Sequence, residues 1–261
     1  MLGYLVARRL TAPPRARTYP LRVRATTSTT VTVDATATTT LPGEWGLFLA
    51  SGAHARVTGT PAVAAGLATW ALAAGSSAPA PGDRVSWSGI VDPAPPPGTT
   101  QWRMPAGPAW VIRPDGADSA AGAWAVHVHG LGSTRAGTLR GVRAATAAGL
   151  PSLVPAYRNT LDGERQGRGR SHLGATEGAD LREALARLRG EGAERFVLFG
   201  WSMGAQLCLA AAVDPEWAPR IDRIVLDSPV LDWRAVLGAN VARARLPRAA
   251  ARGAEAWLGH P

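Results

Sequence analysis

Lysine is missing from this 261-residue chain, so its formal charge of +9 is carried by arginine alone. The arginines are scattered from Arg8 to Arg252 without a recognisable nucleic-acid-reading element. Charge of that kind does not make a recognition surface, and the abundance of alanine, glycine and proline makes compositional bias its simpler origin. No nucleic-acid partner is expected. Cysteine occurs once, at Cys208, which excludes an internal disulfide and a cysteine-based metal cluster. Between Leu207 and Leu209 it reads as a small buried hydrophobe. Long apolar runs are lacking too. The longest, Ala62 to Gly75, falls short of the ~18 residues of a spanning helix. Met1 to Ala7 is too short a stretch before Arg8 and Arg9 for a signal-peptide core. The expectation is a cytoplasmic protein with no membrane partner. Hydrophobic residues make up 46% of the chain, which excludes disorder as its overall state.

What is present falls into two regions. Residues 1–92 read as a β-rich accessory region: Leu21, Val23 and Ala25 alternate with Arg22 and Arg24, the period of a half-buried strand. The threonine run from Thr26 to Thr40 is β-branched and strand-prone. Trp45–Leu49, Ala55–Thr58 and Val85–Val91 are further strands, and the alanine-rich stretch 62–74 is predicted to be a helix. Residues 93–119 form a linker, opening on Pro93, Pro95, Pro96, Pro97 and Gly98, and a leading strand. From 120 to 261 short apolar strands (Ala123–Val128, Leu150–Tyr157, Phe196–Phe199, Ile221–Leu226) alternate with helices. That rhythm predicts an α/β fold around a parallel sheet covered on both faces.

Gly200-Trp201-Ser202-Met203-Gly204 lies directly between an apolar strand and a helix. A serine on a sharp strand-to-helix turn is exposed for nucleophilic attack, and glycines two residues to either side remove the collisions such a turn creates. The plainer alternative is a glycine-rich turn with Ser202 as a cap. Upstream, His129-Gly130-Leu131-Gly132-Ser133 follows another strand. Acyl transfer needs two backbone donors aimed at the oxyanion, and the N–H groups of Met203 and Leu131 are the candidates. Gly130 lets that loop approach closely, and His129 is expected to brace it rather than act as a base. His127 and His129, two residues apart, are expected to point to one side of the sheet; no metal is expected, for want of further ligands.

Val126-His127-Val128-His129-Gly130, Tyr157-Arg158-Asn159, Gly200 to Gly204 and Leu226-Asp227-Ser228-Pro229 resemble successive strand ends of the α/β-hydrolase superfamily. The closer resemblance is to bacterial serine hydrolases of the prolyl-oligopeptidase-like and esterase type. It spans about residues 120–235 and implies an enzyme acting on a small-molecule ester or amide, without cofactor. In that fold the acid and the histidine follow the serine. Asp227, at a strand end, is one candidate acid, but capping or loop bonding through Ser228 is its simpler role. His260 is the single histidine after Ser202. The expectation is therefore a chain truncated at its C-terminus, with an incomplete sheet, impaired activity and self-association through the exposed edge of Ile221–Leu226. The competing expectation is a non-catalytic binding protein on the same scaffold.

Overall fold

Alternating burial along six short strands closes residues Ala16–Pro95 into an antiparallel barrel. The computed structural model describes residues 1–13, 15–114 and 122–259. In the barrel, β1 (Leu21–Thr26), β2 (Thr30–Asp34), β3 (Trp45–Leu49), β4 (His54–Ala64), β5 (Leu67–Leu72) and β6 (Arg84–Ser88) run in the order β1-β2-β5-β4-β3-β6. Val31, Val33, Leu47, Val57 and Trp70 fill its interior and lose all exposure. Trp70 places its Nε1 proton on the Thr39 carbonyl at 2.8 Å. The threonine run does not stay extended to Thr40. After Asp34 it turns, and Thr39 Oγ1 donates to the Asp34 carbonyl at 2.8 Å.

The predicted helix over 62–74 is overturned. Residues 62–72 are the facing arms of β4 and β5, with Val63 opposite Ala68 and Ala64 opposite Leu67. The turn between them puts Ala65 at φ 50° and Gly66 at φ 75°. Both signs are positive, as a two-residue hairpin turn demands, and a central glycine costs a helix about 1 kcal/mol. Alternating burial of Ala68 and Trp70 then outweighs alanine's helix propensity.

A second unit combines Met1–Arg15 with Pro96–Pro261. Its six-stranded sheet has the order β12-β11-β9-β10-β8-β7, from β7 (Thr100–Met104), β8 (Gly107–Ile112), β9 (Ala123–Val128), β10 (Ser152–Pro155), β11 (Arg195–Trp201) and β12 (Ile221–Asp227). Strands β9 to β12 pair in parallel, whereas β7 and β8 form an antiparallel hairpin on β10. The expected all-parallel sheet is thus mixed. The segment 93–119 contributes two strands, because Gly107, at φ 133°, makes a turn too tight for a crossover. β12 lies at the other edge, with Ile224 and Val225 exposed.

Helices cover both faces. Leu181, Leu185 and Leu188 of α3 (Glu177–Gly190) and Leu207 and Cys208 of α4 (Met203–Ala212) pack on Val126, Val128, Phe196 and Leu198. Ala145 of α2 (Leu139–Ala147) meets Ala125 and Phe199 on the opposite face. Burial pushes the Cys208 thiol up to about 12, as expected of an inert core residue. Two more helices follow the sheet, α5 (Trp233–Arg243) and α6 (Ala249–Leu258), separated at Pro247. An unforeseen helix, α1 (Leu2–Leu10), belongs with them rather than with the β-rich region, since Ala7 packs against Leu237 and Ala254.

Emptying the barrel centre should show directly in stability. Trp70→Ala removes its largest buried side chain and is expected to cost about 3–5 kcal/mol, measured by urea unfolding followed by circular dichroism.

Candidate functional site

β11 ends at Trp201 and α4 begins at Met203, so Ser202 makes the whole turn, with φ 51° and ψ −115°. A non-glycine residue held there stores roughly 1–3 kcal/mol of strain. Four backbone hydrogen bonds hold it: Ser202 N–H donates to the Asp227 carbonyl at 2.9 Å, and Val230, Ala205 and Gln206 N–H donate to the Ser202 carbonyl at 3.2, 3.1 and 3.4 Å. The glycines at 200, 204 and 130 stand where a Cβ would meet its neighbours closely. A Cβ on Gly200 would sit 2.4 Å from Ala205 Cα, and one on Gly204 only 2.1 Å from the Val128 carbonyl oxygen. A Cβ on Gly130 would lie 3.1 Å from Ser202 Cβ, so the His129–Gly132 loop is brought against the elbow. Met203 is fully buried, and its N–H heads a helix, where no preceding turn supplies a carbonyl. Leu131 is half-buried beside the same core, and Gly132 turns the loop behind it at φ 73°.

The histidines are anchored elsewhere. His129 Nδ1 lies 3.0 Å from the Gly130 carbonyl; its ring stacks on Tyr157 at 4.4 Å, and Tyr157 donates its hydroxyl to the His129 carbonyl at 3.1 Å. It braces the loop. His127 bonds Ser152 Oγ through Nε2 at 3.0 Å and stacks on Phe199 at 4.6 Å. The two rings therefore do not share one side, because β9 ends at Val128 and His129 already belongs to the turn. Among the described residues no group of three or more His, Cys, Asp or Glu side chains could hold a metal ion. Burial lowers both imidazole pKa values, that of His127 to about 3. His172 bonds Thr176 Oγ1 at 3.1 Å, and His54 lies in the barrel. His260 is outside the described residues. The Asp227 carboxylate is taken by Arg140 and by Ser228 Oγ, the latter at 2.9 Å. Asp232 caps α5, accepting from Arg234 N–H at 2.8 Å.

Sequence reasoning missed the buried acids of α3. Glu177 has no exposed surface and accepts from Ser171 Oγ and His172 N–H at 2.8 Å and from Gly174 N–H at 3.1 Å. Burial alone would raise its pKa, but these donors outweigh burial and hold it below the usual carboxylate range. Ser171 Oγ in turn lies 3.8 Å from Met203 Sδ. Asp180 grips Arg158, with Nε at 2.8 Å and the Arg158 backbone N–H at 2.9 Å. A signal was there: 177 and 180 continue the stripe of 181, 184, 185 and 188, so two acids sit in the apolar face of a helix. The loop they organise borders a cleft of about 800 Å³ walled by Leu173, Trp233, Leu237, Trp257 and Leu258. Gln206, one turn along α4 from Ser202, accepts from Trp233 Nε1 at 2.9 Å.

Comparison with known proteins adds little to this geometry. Residues 22–88, within the barrel, match a family described as a domain of unknown function (DUF8805). No curated protein matches the chain. Among solved structures, an esterase from Pyrococcus furiosus is 18% identical over 60% of this chain and 60% of its own, with a TM-score of 0.48. A probable hydrolytic enzyme from Pseudomonas aeruginosa is 22% identical over 56% of this chain and 46% of its own, at 0.41. An esterase from Exiguobacterium antarcticum is 15% identical over 54% and 56%, at 0.39. In each case the likeness spans less than two thirds of the other protein.

If Ser202 is strained for a purpose other than stability, removing its side chain should relax the fold. Ser202→Gly is expected to gain about 1 kcal/mol, the relieved strain less glycine's entropy in the unfolded chain, and to raise the melting temperature. A lower melting temperature would contradict the strain. The histidines set a second expectation. Unfolding returns His127 from about 3 to near 6.5, so between those values the unfolded chain binds a proton that the folded chain does not. Stability therefore falls on acidification below about pH 6.5, by up to about 1.4 kcal/mol per pH unit for one such group. Glu177, held low, adds its loss only below the usual carboxylate range. Urea unfolding from pH 7 to 5 should show this slope, and His127→Leu should reduce it without removing it, because His129 and His54 shift the same way.

Proposed function

We propose that this chain is a serine hydrolase of the α/β-hydrolase type, acting on the acyl carbon of a small-molecule ester or amide. The observation that carries the reading is the Ser202 backbone: a non-glycine residue at φ 51° between strand and helix, seated there by Gly200 and Gly204. Strain of this kind gathers at functional sites because it presents a side chain that a relaxed turn would hide.

In this reading Ser202 Oγ attacks the substrate carbonyl, and the negative charge passing to the carbonyl oxygen is held by the N–H groups of Met203 and Leu131. The N-terminus of α4 adds its partial positive charge at that point. His129, Gly130, Gly200 and Gly204 support the geometry. Ser202, Met203 and Leu131 do not line the cleft walled by Leu173, Trp233 and Trp257. Serine, oxyanion donors and a base suffice, so the reaction calls for no cofactor or metal. The serine proton needs an imidazole oriented by a carboxylate. His127, His129 and His172 each hold another partner, and Asp227 is paired with Arg140. The same observation favours the second reading, a binding protein on this scaffold that does not catalyse.

Labelling with a fluorophosphonate probe separates the two. The 261-residue chain is expected to label slowly, with Ser202→Ala abolishing the signal. A version extended by a segment bearing an acid and a histidine should label about 100-fold faster or more. Fast Ser202-dependent labelling of this chain would place a base within it, with His260 and His129 the first to replace. Labelling that survives Ser202→Ala would overturn the nucleophile itself.

A further inference from the structure

α1 packs on α6 through its smallest residues. A Cβ on Gly3 would fall 2.4 Å from the Gly253 carbonyl carbon, and Ala7 is fully buried. Seating the small face inward turns the large one outward: Met1, Leu2, Tyr4 and Leu5 are exposed, Leu5 by 52%. Trp257 of α6 joins them, its ring meeting Tyr4 edge-on at 5.1 Å between centroids. Arginines share these helices. Arg8 donates to the Tyr4 hydroxyl at 3.0 Å, and Arg9 of α1 and Arg252 of α6 are exposed. No acidic residue precedes Asp34 in the sequence, and Glu255 of α6 faces Arg234 at 4.0 Å.

We infer that the α1–α6 face docks onto an anionic lipid surface. Leucines sink into the acyl boundary, tyrosine and tryptophan settle at the headgroup level, and arginines meet lipid phosphates; each part of that division of labour is present here. A second copy of the chain is the poorer occupant, because it would bring Arg8, Arg9 and Arg252 against their own like charges. No helix among the described residues is long and apolar enough to cross a membrane. The proposed contact is thus of a helix lying on the surface. It does not depend on Ser202 being a nucleophile. Trp257 also walls the cleft described above, so docking sets that cleft beside the lipid.

The test is co-sedimentation of the full chain with vesicles of phosphatidylcholine, alone or with a quarter phosphatidylglycerol. The chain is expected to pellet with the mixed vesicles, less so as salt is raised, and weakly with phosphatidylcholine alone. Leu2→Ser with Leu5→Ser leaves the charge unchanged at exposed positions and should weaken binding about tenfold or more. Arg8→Gln and Arg9→Gln should each weaken it about fivefold, on anionic vesicles only. Thermal melts confirm that the variants fold. Three results would overturn the inference: no pelleting of the unsubstituted chain, pelleting unaffected by the leucine changes (attraction by net charge alone), or a dimer in analytical ultracentrifugation that Leu5→Ser dissociates.

Discussion

The second unit depends on one close approach, where the turn from β11 to α4 crosses the end of β9. Backbone atoms stand where side chains at 200 and 204 would be, at 2.4 and 2.1 Å, far inside ordinary contact of 3.4–4 Å. No rotamer change relieves such a contact, since the obstructing atoms are main chain. Any residue other than glycine must drive α4 away from the sheet. With both glycines present, the helix starts directly over the strand ends, and the serine between them is forced to positive φ. The bonds from Ser202 to Asp227 and Val230 then tie the elbow to the end of β12. Position of the side chain, strain in the backbone and direction of the helix all follow from the same two missing methyl groups.

A buried charge does the corresponding work on the other side of the elbow. Uncompensated, a carboxylate as hidden as Glu177 would cost several kcal/mol. Its oxygens are met by donors from residues 171, 172, 174 and 176, so the loop can satisfy the charge only by wrapping around it. Wrapping fixes Ser171 against Met203 and Leu173 against Trp233, whose indole donates to the Leu173 carbonyl at 3.0 Å. The Arg158–Asp180 pair anchors the strand end from which that loop departs. Polar groups inside this unit thus set the path of a segment with little regular structure, which an apolar core could not do.

What could be read from the sequence was whatever depends on local pattern. The elbow was legible because glycine spacing, an apolar strand and a helix stand side by side in residues 196–213. The first strand of the barrel was legible by alternation and the second by its β-branched threonines and valines, and the tail helices by their break at Pro247. The 62–74 hairpin was not, because alanine's helix preference is local whereas the pairing of its second arm, β5, with β2 is not. Of β7 and β8 only one was expected, as a leading strand; the other was hidden behind a proline run that reads as linker, although pairing begins only at Thr100. α1 was lost because it is amphipathic toward a helix some 250 residues away, and no single window contains both partners. The diverging rings of His127 and His129 turned on one residue, the last of β9.

The arginines, first read as compositional bias, do structural work that their uniformity makes visible. α3 ends with Arg187 over Trp102 of β7 at 5.1 Å and Arg189 over Trp217 at 4.9 Å, so its last turn covers two indoles. Arg113 lies over Trp124 at 4.6 Å. Arg135, nearly buried, lies 4.3 Å over Trp110 while Nε donates to Asp162 at 2.7 Å. A planar guanidinium can stack on a ring and bond a carboxylate in its own plane at once; an ammonium offers a point charge and no face. Each such contact is worth about 0.5–1 kcal/mol where exposed and more where dry. The outer faces of these tryptophans, of which Trp124 and Trp217 are buried in the core, are thereby covered by the aliphatic stems and flat heads of arginine. Lysine stems could cover the same indoles, but without a flat head to stack on them.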